Sequence, residues 1–483
     1  MPAALRLSRP YLIVICALMA ICAWQAPGWA ETPKSAQLTI LHTNDIHGHL
    51  FPFDYSALGA PETNVGGAAR RATLIRSLRT SAKHPVITMD AGDVFTRGPL
   101  ADLLGVPDFE VMNAVPYDIM TLGNNEFKGA GGIQGQKVML ERIKQARFAI
   151  VSANVSYKST GETMVPACKV FALAGGARIG VFGLTAPRVA TYAQAEGLVI
   201  ADPIETAKKV VSELRKSCDL VIGLTHIGYP LDLQLAASVP GIDVIIGGDS
   251  HTWVPQPTLV KDTKQPGPTW WVGGTLVCQD GEWGKCVGKL DLALRRAEDS
   301  RLLVSAYKGA LVNVDSSIKP AADIQRILDR HSKPYLKPIG KLADAVPTSG
   351  AAAWVAERMR QAAGAQVGVE PKDGIENGLR AGTVTTLDIR RMFPFVNGVV
   401  KLTVTGKQLA DYVSSVDAGL AGIEARGDEF FIDGAKVNPS ANYTLAVESY
   451  YAATQPTLAG AQSQALGKTT SEVVTNYITS LAK

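Results

Sequence analysis

Five short apolar runs in this chain each end on an acid, a histidine or an asparagine. Residues 38–41 lead to Asp45 and His47, 86–88 to Asp90 and Asp93, and 119–122 to Asn124. Residues 221–224 lead to His226, and 244–246 to Asp249 and His251. Carboxylate, imidazole and amide oxygen are ligands for hard and borderline divalent cations. One carboxylate can bridge two such ions about 3.5–4 Å apart, an arrangement that polarises a phosphoryl oxygen and activates water. Asp93, reached through Ala91-Gly92 where small residues let the backbone pass close to a ligand, is the expected bridge. Asp90, one step back in the run, is expected to support it.

Such runs, alternating with helical patterns, read as parallel strands. Sheets of that kind bind ligands beyond the carboxyl ends of their strands, so the five ends are expected to meet at one site. Asp45 and His47, two apart in an extended chain, would face the same side. Helical spacing of Leu74, Ile75 and Leu78, and of Ala207, Val210, Val211 and Leu214, supplies apolar faces to cover the sheet.

Residues 1–30 carry Arg6 and Arg9, an apolar stretch over 11–21, and Gly28-Trp29-Ala30. That order reads as a secretory signal, too short for a stable span. The formal charge of +4 falls by those two arginines on its removal. No basic run interleaved with aromatics points to nucleic acid, and no later stretch is long enough for a membrane helix. Cys168, Cys218, Cys278 and Cys286 remain for an oxidising compartment. The turn residues Asp280-Gly281 and Trp283-Gly284 favour a Cys278–Cys286 disulfide.

The alternation of strands and helices defines a first domain over 36–305. Lys333-Pro334 and Lys337-Pro338 mark an interdomain connection, placed at 306–345 with a helix near its start, and a second domain fills 346–483.

Taken together, Thr43-Asn44-Asp45-Ile46-His47-Gly48-His49, Ala91-Gly92-Asp93, Gly123-Asn124-Asn125-Glu126-Phe127, Thr225-His226-Ile227-Gly228 and Gly247-Gly248-Asp249-Ser250-His251 resemble the calcineurin-type metallophosphoesterases, in particular secreted bacterial 5′-nucleotidases and nucleotide-sugar hydrolases. Gly378-Leu379-Arg380, Pro394-Phe395-Val396-Asn397 and the segment 402–409 resemble that family's C-terminal substrate domain. The resemblance implies an α/β fold: a layered α/β/β/α sandwich followed by an α/β (α+β) substrate domain. It implies two divalent ions, drawn from Mn, Zn, Mg and Ca. Asp45, His47, Asp93 and His251 would hold one; Asp93, Asn124, His226 and Asp249 would hold the other. It also implies a periplasmic or secreted enzyme, monomeric or weakly dimeric, that uses metal-activated water to cleave a small phosphate ester, nucleotides among them.

Three positions depart from the family pattern. Asn125 replaces its transition-state histidine, Lys128 the aspartate that orients that histidine, and Asp249 a metal-binding histidine. The added carboxylate favours Mn²⁺, Mg²⁺ or Ca²⁺ over Zn²⁺. Asn125, as a neutral donor, and Lys128, as a cation, are the candidate catalytic groups. Arg380, Arg391, Asn397 and Phe430 (or Phe431) are candidates for holding substrate, and Tyr450 or Tyr451 for stacking. Two alternatives stay open: a catalytically weakened or non-catalytic binding protein on the same fold, and a hydrolase of another ester or thioester, as in the family's sulfur-oxidation relatives.

Overall fold

A computed structural model describes residues 34–55, 62–128, 135–173, 176–262, 267–298, 301–393 and 395–481. The expected secretory signal at 1–30, with Cys16 and Cys22, lies outside the described residues, as does Pro394 of the substrate-domain motif.

The chain forms two six-stranded sheets packed face to face. The first orders its strands Leu302–Asn313, Cys286–Arg296, Ser35–Thr43, Val86–Asp90, Ile119–Thr121 and Ala149–Val151. The second runs Thr258–Lys261, Gly274–Cys278, Val244–Ile246, Leu220–His226, Arg178–Thr185 and Cys168–Ala172. Strands buried on both faces carry near-continuous apolar runs, and the central strands here do so. Ile40, Met89, Ile119, Val181, Ile222 and Ile246 fill the space between the sheets. The outer faces are covered separately. Helices Ala68–Ser81, Val106–Ala114 and Ala322–Ser332 pack on the first sheet, while Pro203–Leu214 and Tyr229–Ser238 cover the second. This is the expected α/β/β/α sandwich.

The five apolar runs are thus divided, three in one sheet and two in the other. Within each sheet they run parallel: Thr39 lies opposite Val86, Met89 opposite Ile119, and Ile222 opposite Val244. Their carboxyl ends therefore open onto one edge of the sandwich.

The strand Leu302–Asn313 continues the first sheet past residue 305, and Ile324 and Leu328 of the next helix are buried in that sheet's outer core. The helix at 322–332 is packed into the first domain rather than standing as a linker. After Pro338–Leu342, a five-stranded sheet forms in the order Ala418–Ala421, Val367–Pro371, Asn442–Glu448, Gly398–Thr405, Gln462–Thr469. Helices Thr348–Ala363 and Thr470–Ser480 cover one face, and Gly406–Ser415 the other.

Cys278 and Cys286 are free thiols, contrary to the expected disulfide. Cys278 ends a strand of the second sheet and points into the core between sheets, whereas Cys286 begins a strand of the first and donates to Asn313 Oδ1 at 3.1 Å. The turn between them crosses from one sheet to the other instead of folding back on itself.

Candidate metal centre

Strand Ser35–Thr43 stops before its ligands. Asp45 and His47 have φ of 50° each, and Asp93 has 58°. Alternating left-handed residues, rather than a continuing strand, therefore turn Asp45 and His47 to one side. The two loops pair as they leave their strands: Asp45 N donates to Gly92 O and His47 N to Asp93 O, both at 2.9 Å. Asp249 (84°) and His251 (54°) share the unusual conformation. Such backbone strain costs about 1–3 kcal/mol per residue and persists where the surroundings over-determine it. Here it clusters on five of the seven expected ligands. Gly123 lets the loops close up, since a Cβ there would lie 2.2 Å from Asp93 Oδ1.

The seven side chains converge. Asp45 Oδ1 is buried without a hydrogen-bond partner, 3.3 Å from His251 Nε2 and 3.7 Å from His47 Nε2. Those two nitrogens stand 3.1 Å apart. Beside them, His226 Nε2 lies 3.3 Å from Asp93 Oδ2, 3.4 Å from Asp249 Oδ1 and 3.2 Å from Asn124 Oδ1. His226 Nδ1 donates to Ala91 O at 2.7 Å, which aims Nε2 at these oxygens as the ring atom that a metal would take. Asp45–His47–His251 and Asp45–Asp93–His226 each bring their ligand atoms within 4.8 Å of one another. Buried acceptors without donors are costly, and a divalent cation satisfies them, so these residues fit a metal.

Supporting contacts hold the ligands. Asn44 Nδ2 and Asp249 N each donate to Asp45 Oδ2 at 2.8 Å, which leaves Oδ1 free. Glu282 Oε2 lies 2.5 Å from His251 Nδ1. Burial alone would lower the His251 imidazole, but Asp45 and Glu282 raise it to about 10. Burial and the nearby Arg97 hold His47 well below its usual range. Glu126 takes the backbone N–H groups of Asp93, Val94 and Gly123 at 2.7–2.9 Å, and burial followed by the charge of Asp93 pushes its carboxyl up to about 8. Burial works against Asp93 as well, yet His226 and His47 keep it below the ordinary carboxylate range.

Asn125 donates from Nδ2 to Asp93 Oδ2 at 2.5 Å and from its backbone N to Oδ1 at 2.7 Å. Lys128 sets its ammonium 5.2 Å over the Tyr192 ring. Asp90 accepts from Thr43 Oγ1 at 2.6 Å, a supporting role behind the ligands.

The C-terminal candidates separate. Arg380 and Arg391 line a cavity of about 270 Å³ together with Pro52, Asp54 and Asn64 of the first domain. Arg391 donates to Pro52 O at 2.7 Å. Asn397 donates to Glu448 Oε2 at 2.8 Å, away from that cavity. Phe430 packs against the core beneath helix Gly406–Ser415, so its ring is partly covered. Tyr450 is exposed and meets Tyr451 edge-on at 5.5 Å.

Three residues at the centre escaped the sequence reading, Arg188, Arg97 and Glu282, and Glu126 entered it only as part of its motif, with no role. Arg188 follows the apolar strand Arg178–Thr185, a sixth strand end that the same rule would have found. Its guanidinium donates to Asp249 and Asn124. Arg97 stacks on Phe395 of the second domain at 5.4 Å. Glu282 lies in a turn whose contacts come from distant segments, so no local pattern marks it.

Residues 38–253 match the calcineurin-like phosphoesterase family, and residues 340–456 match the 5′-nucleotidase C-terminal domain. A 5′-nucleotidase of Vibrio cholerae is 30% identical, the alignment covering 91% of this chain and 89% of that one. A solved 5′-nucleotidase precursor of Thermus thermophilus superposes with a TM-score of 0.68 at 26% identity, over 92% of this chain and 97% of that one. A sulfate thiohydrolase SoxB of Thermus thermophilus shares the fold, with a TM-score of 0.65 at 18% identity over 95% and 96% of the two chains.

Proposed function

Because this chain belongs to the 5′-nucleotidase family of calcineurin-like phosphoesterases, and is by that membership a metal-dependent phosphoric ester hydrolase, we propose that it releases phosphate from nucleotides at the centre formed by Asp45, His47, Asp93, Asn124, His226, Asp249 and His251. The observation that carries this reading is the unpartnered Asp45 Oδ1 facing the two imidazole nitrogens of His47 and His251. A bound divalent ion supplies Lewis acidity toward phosphate and water.

The chain's own groups do the rest. Asn44 and the Asp249 amide orient Asp45, Glu282 orients His251, and the Ala91 carbonyl fixes the His226 tautomer. Arg97, close to His47 and to Phe395 of the second domain, supplies positive charge for a phosphate dianion. Arg380 and Arg391 hold a more distant part of the substrate from the interdomain cavity. Asn125 offers a neutral N–H where the family has an imidazole. One such donor is worth about 10²–10⁴-fold, so esters with good leaving groups should be cleaved best. Mn²⁺, Mg²⁺ or Ca²⁺ is preferred over Zn²⁺, since Asp249 adds a carboxylate. Export is part of the same reading. It rests on the signal at 1–30, and a mature N-terminus near Glu31 tests it. Among the described residues, no helix is long and apolar enough to cross a membrane.

The non-catalytic alternative is favoured by one observation, the commitment of the Asn125 amide to Asp93. Phosphate release from nucleoside monophosphates, measured before and after EDTA and again after Mn²⁺ is restored, separates the two. Turnover that EDTA abolishes and Mn²⁺ returns supports hydrolysis. No release from metal-loaded protein, with these and with activated aryl phosphates, rules it out.

A further inference from the structure

The two halves of the metal centre are not equivalent. Around Asp45, His47 and His251, the carboxylate oxygen has imidazole nitrogens at 3.3 and 3.7 Å but no hydrogen-bond partner. Around Asn124, His226 and Asp249, the acceptors are already satisfied by a cation of the chain. Arg188 Nη1 donates to Asp249 Oδ2 at 2.6 Å. Its Nη2 donates both to Asp249 Oδ1 and to Asn124 Oδ1, the latter at 2.5 Å. These two oxygens are the ones that stand 3.4 and 3.2 Å from His226 Nε2. The guanidinium therefore uses the same acceptor atoms that a metal ion there would use.

We propose that Arg188 is an internal cation of the centre, so that the chain holds one divalent ion tightly and takes a second only by displacing this guanidinium. The inference rests on the metal-centre reading above and goes beyond it, in assigning a competitor to one half. The chemistry is matched on both sides. A planar fork suits a carboxylate bidentately, and Asp249 supplies the full negative charge that a histidine at this position would lack. The position suits exchange. Arg188 lies on the short helical turn Pro187–Thr191 and is 47% exposed, whereas Asp249 is 8% exposed. The guanidinium can swing to solvent while its carboxylate stays in place.

The test is a calorimetric titration of the full mature chain with Mn²⁺, paired with electron paramagnetic resonance to detect a spin-coupled ion pair. The wild type should show two unequal steps, and the coupled signal should appear only with the second. Arg188→Gln should leave the first step in place and tighten the second about tenfold. That is the low end for hydrogen bonds to a charged group, because Arg188 is half exposed. Arg188→Lys, which keeps the charge but loses the fork, should fall between. Arg188→Ala, with its thermal melt checked, should behave as Arg188→Gln. Two equally tight steps in the wild type, or a second step that no Arg188 variant changes, would overturn the inference and leave the metal reading standing. Absence of Mn²⁺ binding in every form would overturn both.

Discussion

Two carboxylate pairs, Asp93 and Asp249 at the candidate metal centre and Glu370 and Glu448 in the C-terminal domain, titrate in opposite directions. In the N-terminal domain burial would raise Asp93 and Asp249, but His226 and His47 around the first, and His226 and Arg188 around the second, hold both below the ordinary range. In the C-terminal domain Glu370 is almost wholly buried beside Glu448, and both are pushed up, by burial first and neighbouring acids after it. Both Glu370 oxygens lack hydrogen-bond partners, and Asn397 and Thr470 are spent on Glu448. The first set is arranged around cationic side chains. The second has no such cation beside it among the described residues, and burial favours the protonated form of its acids.

The largest effect that would break this contrast comes from Asp93. Asp93→Asn removes the carboxylate that faces His226 and His47, and a metal ion is worth several kcal/mol to a phosphoryl transition state. Activity should fall on the order of 10³-fold, and elemental analysis should show a greater metal loss than in Asn124→Ala. Equal loss in the two variants would remove Asp93 as the shared ligand.

Next in size is the restoration of the family donor. Asn125→His should raise turnover of poor leaving groups by about tenfold, the lower part of the range for a proton donor, because Lys128 lies over Tyr192 and cannot orient an imidazole. Adding Lys128→Asp should raise it further. Steady-state kinetics on a nucleoside monophosphate with metal content held constant checks both, and no gain from either variant favours the binding-protein reading.

Arg391→Ala tests the substrate side. It should raise KM about tenfold with little change in kcat, since Arg391 lines the interdomain cavity and not the metal centre. A fall in kcat alone would place Arg391 in the chemistry instead.

The smallest effect concerns stability. Glu370 has a folded pKa above its ordinary value near 4.5, so its contribution is favourable below that value and is lost as pH rises through the folded pKa. Glu370→Gln should therefore raise Tm by a few degrees at pH 8 and change little at pH 4. Asp249 has the opposite sign. Its contribution is present above its ordinary value near 3.8 and disappears on acidification. A Glu370→Gln variant less stable at pH 8 would contradict a raised folded pKa at Glu370.

The same contrast accounts for what could be read in advance. Asp45, His47, Asp93, Asn124, His226, Asp249 and His251 each follow an apolar strand within a few residues, so local pattern and parallel topology together bring them to one edge. The split into two sheets was legible through the family resemblance, because periodicity does not say which strands pair. The reason Asp45 and His47 share a side was misread, since a left-handed turn mimics the two-residue spacing of a strand. The Cys278–Cys286 pairing failed because a turn that crosses between sheets has the same residues as one that reverses. Glu282 and the Asn397–Glu448 contact depend on segments far apart in the chain, and spacing carries no record of them.

The account stands most directly on where a metal ion sits. Crystals grown with Mn²⁺ and measured at the manganese absorption edge should show an anomalous peak about 2.0–2.5 Å from Asp45 Oδ1 and the Nε2 atoms of His47 and His251, and Asp45→Asn crystals should lose it. A peak elsewhere in the molecule, or none beside Asp45 in metal-loaded wild type, would contradict the assignment of this site as the catalytic centre.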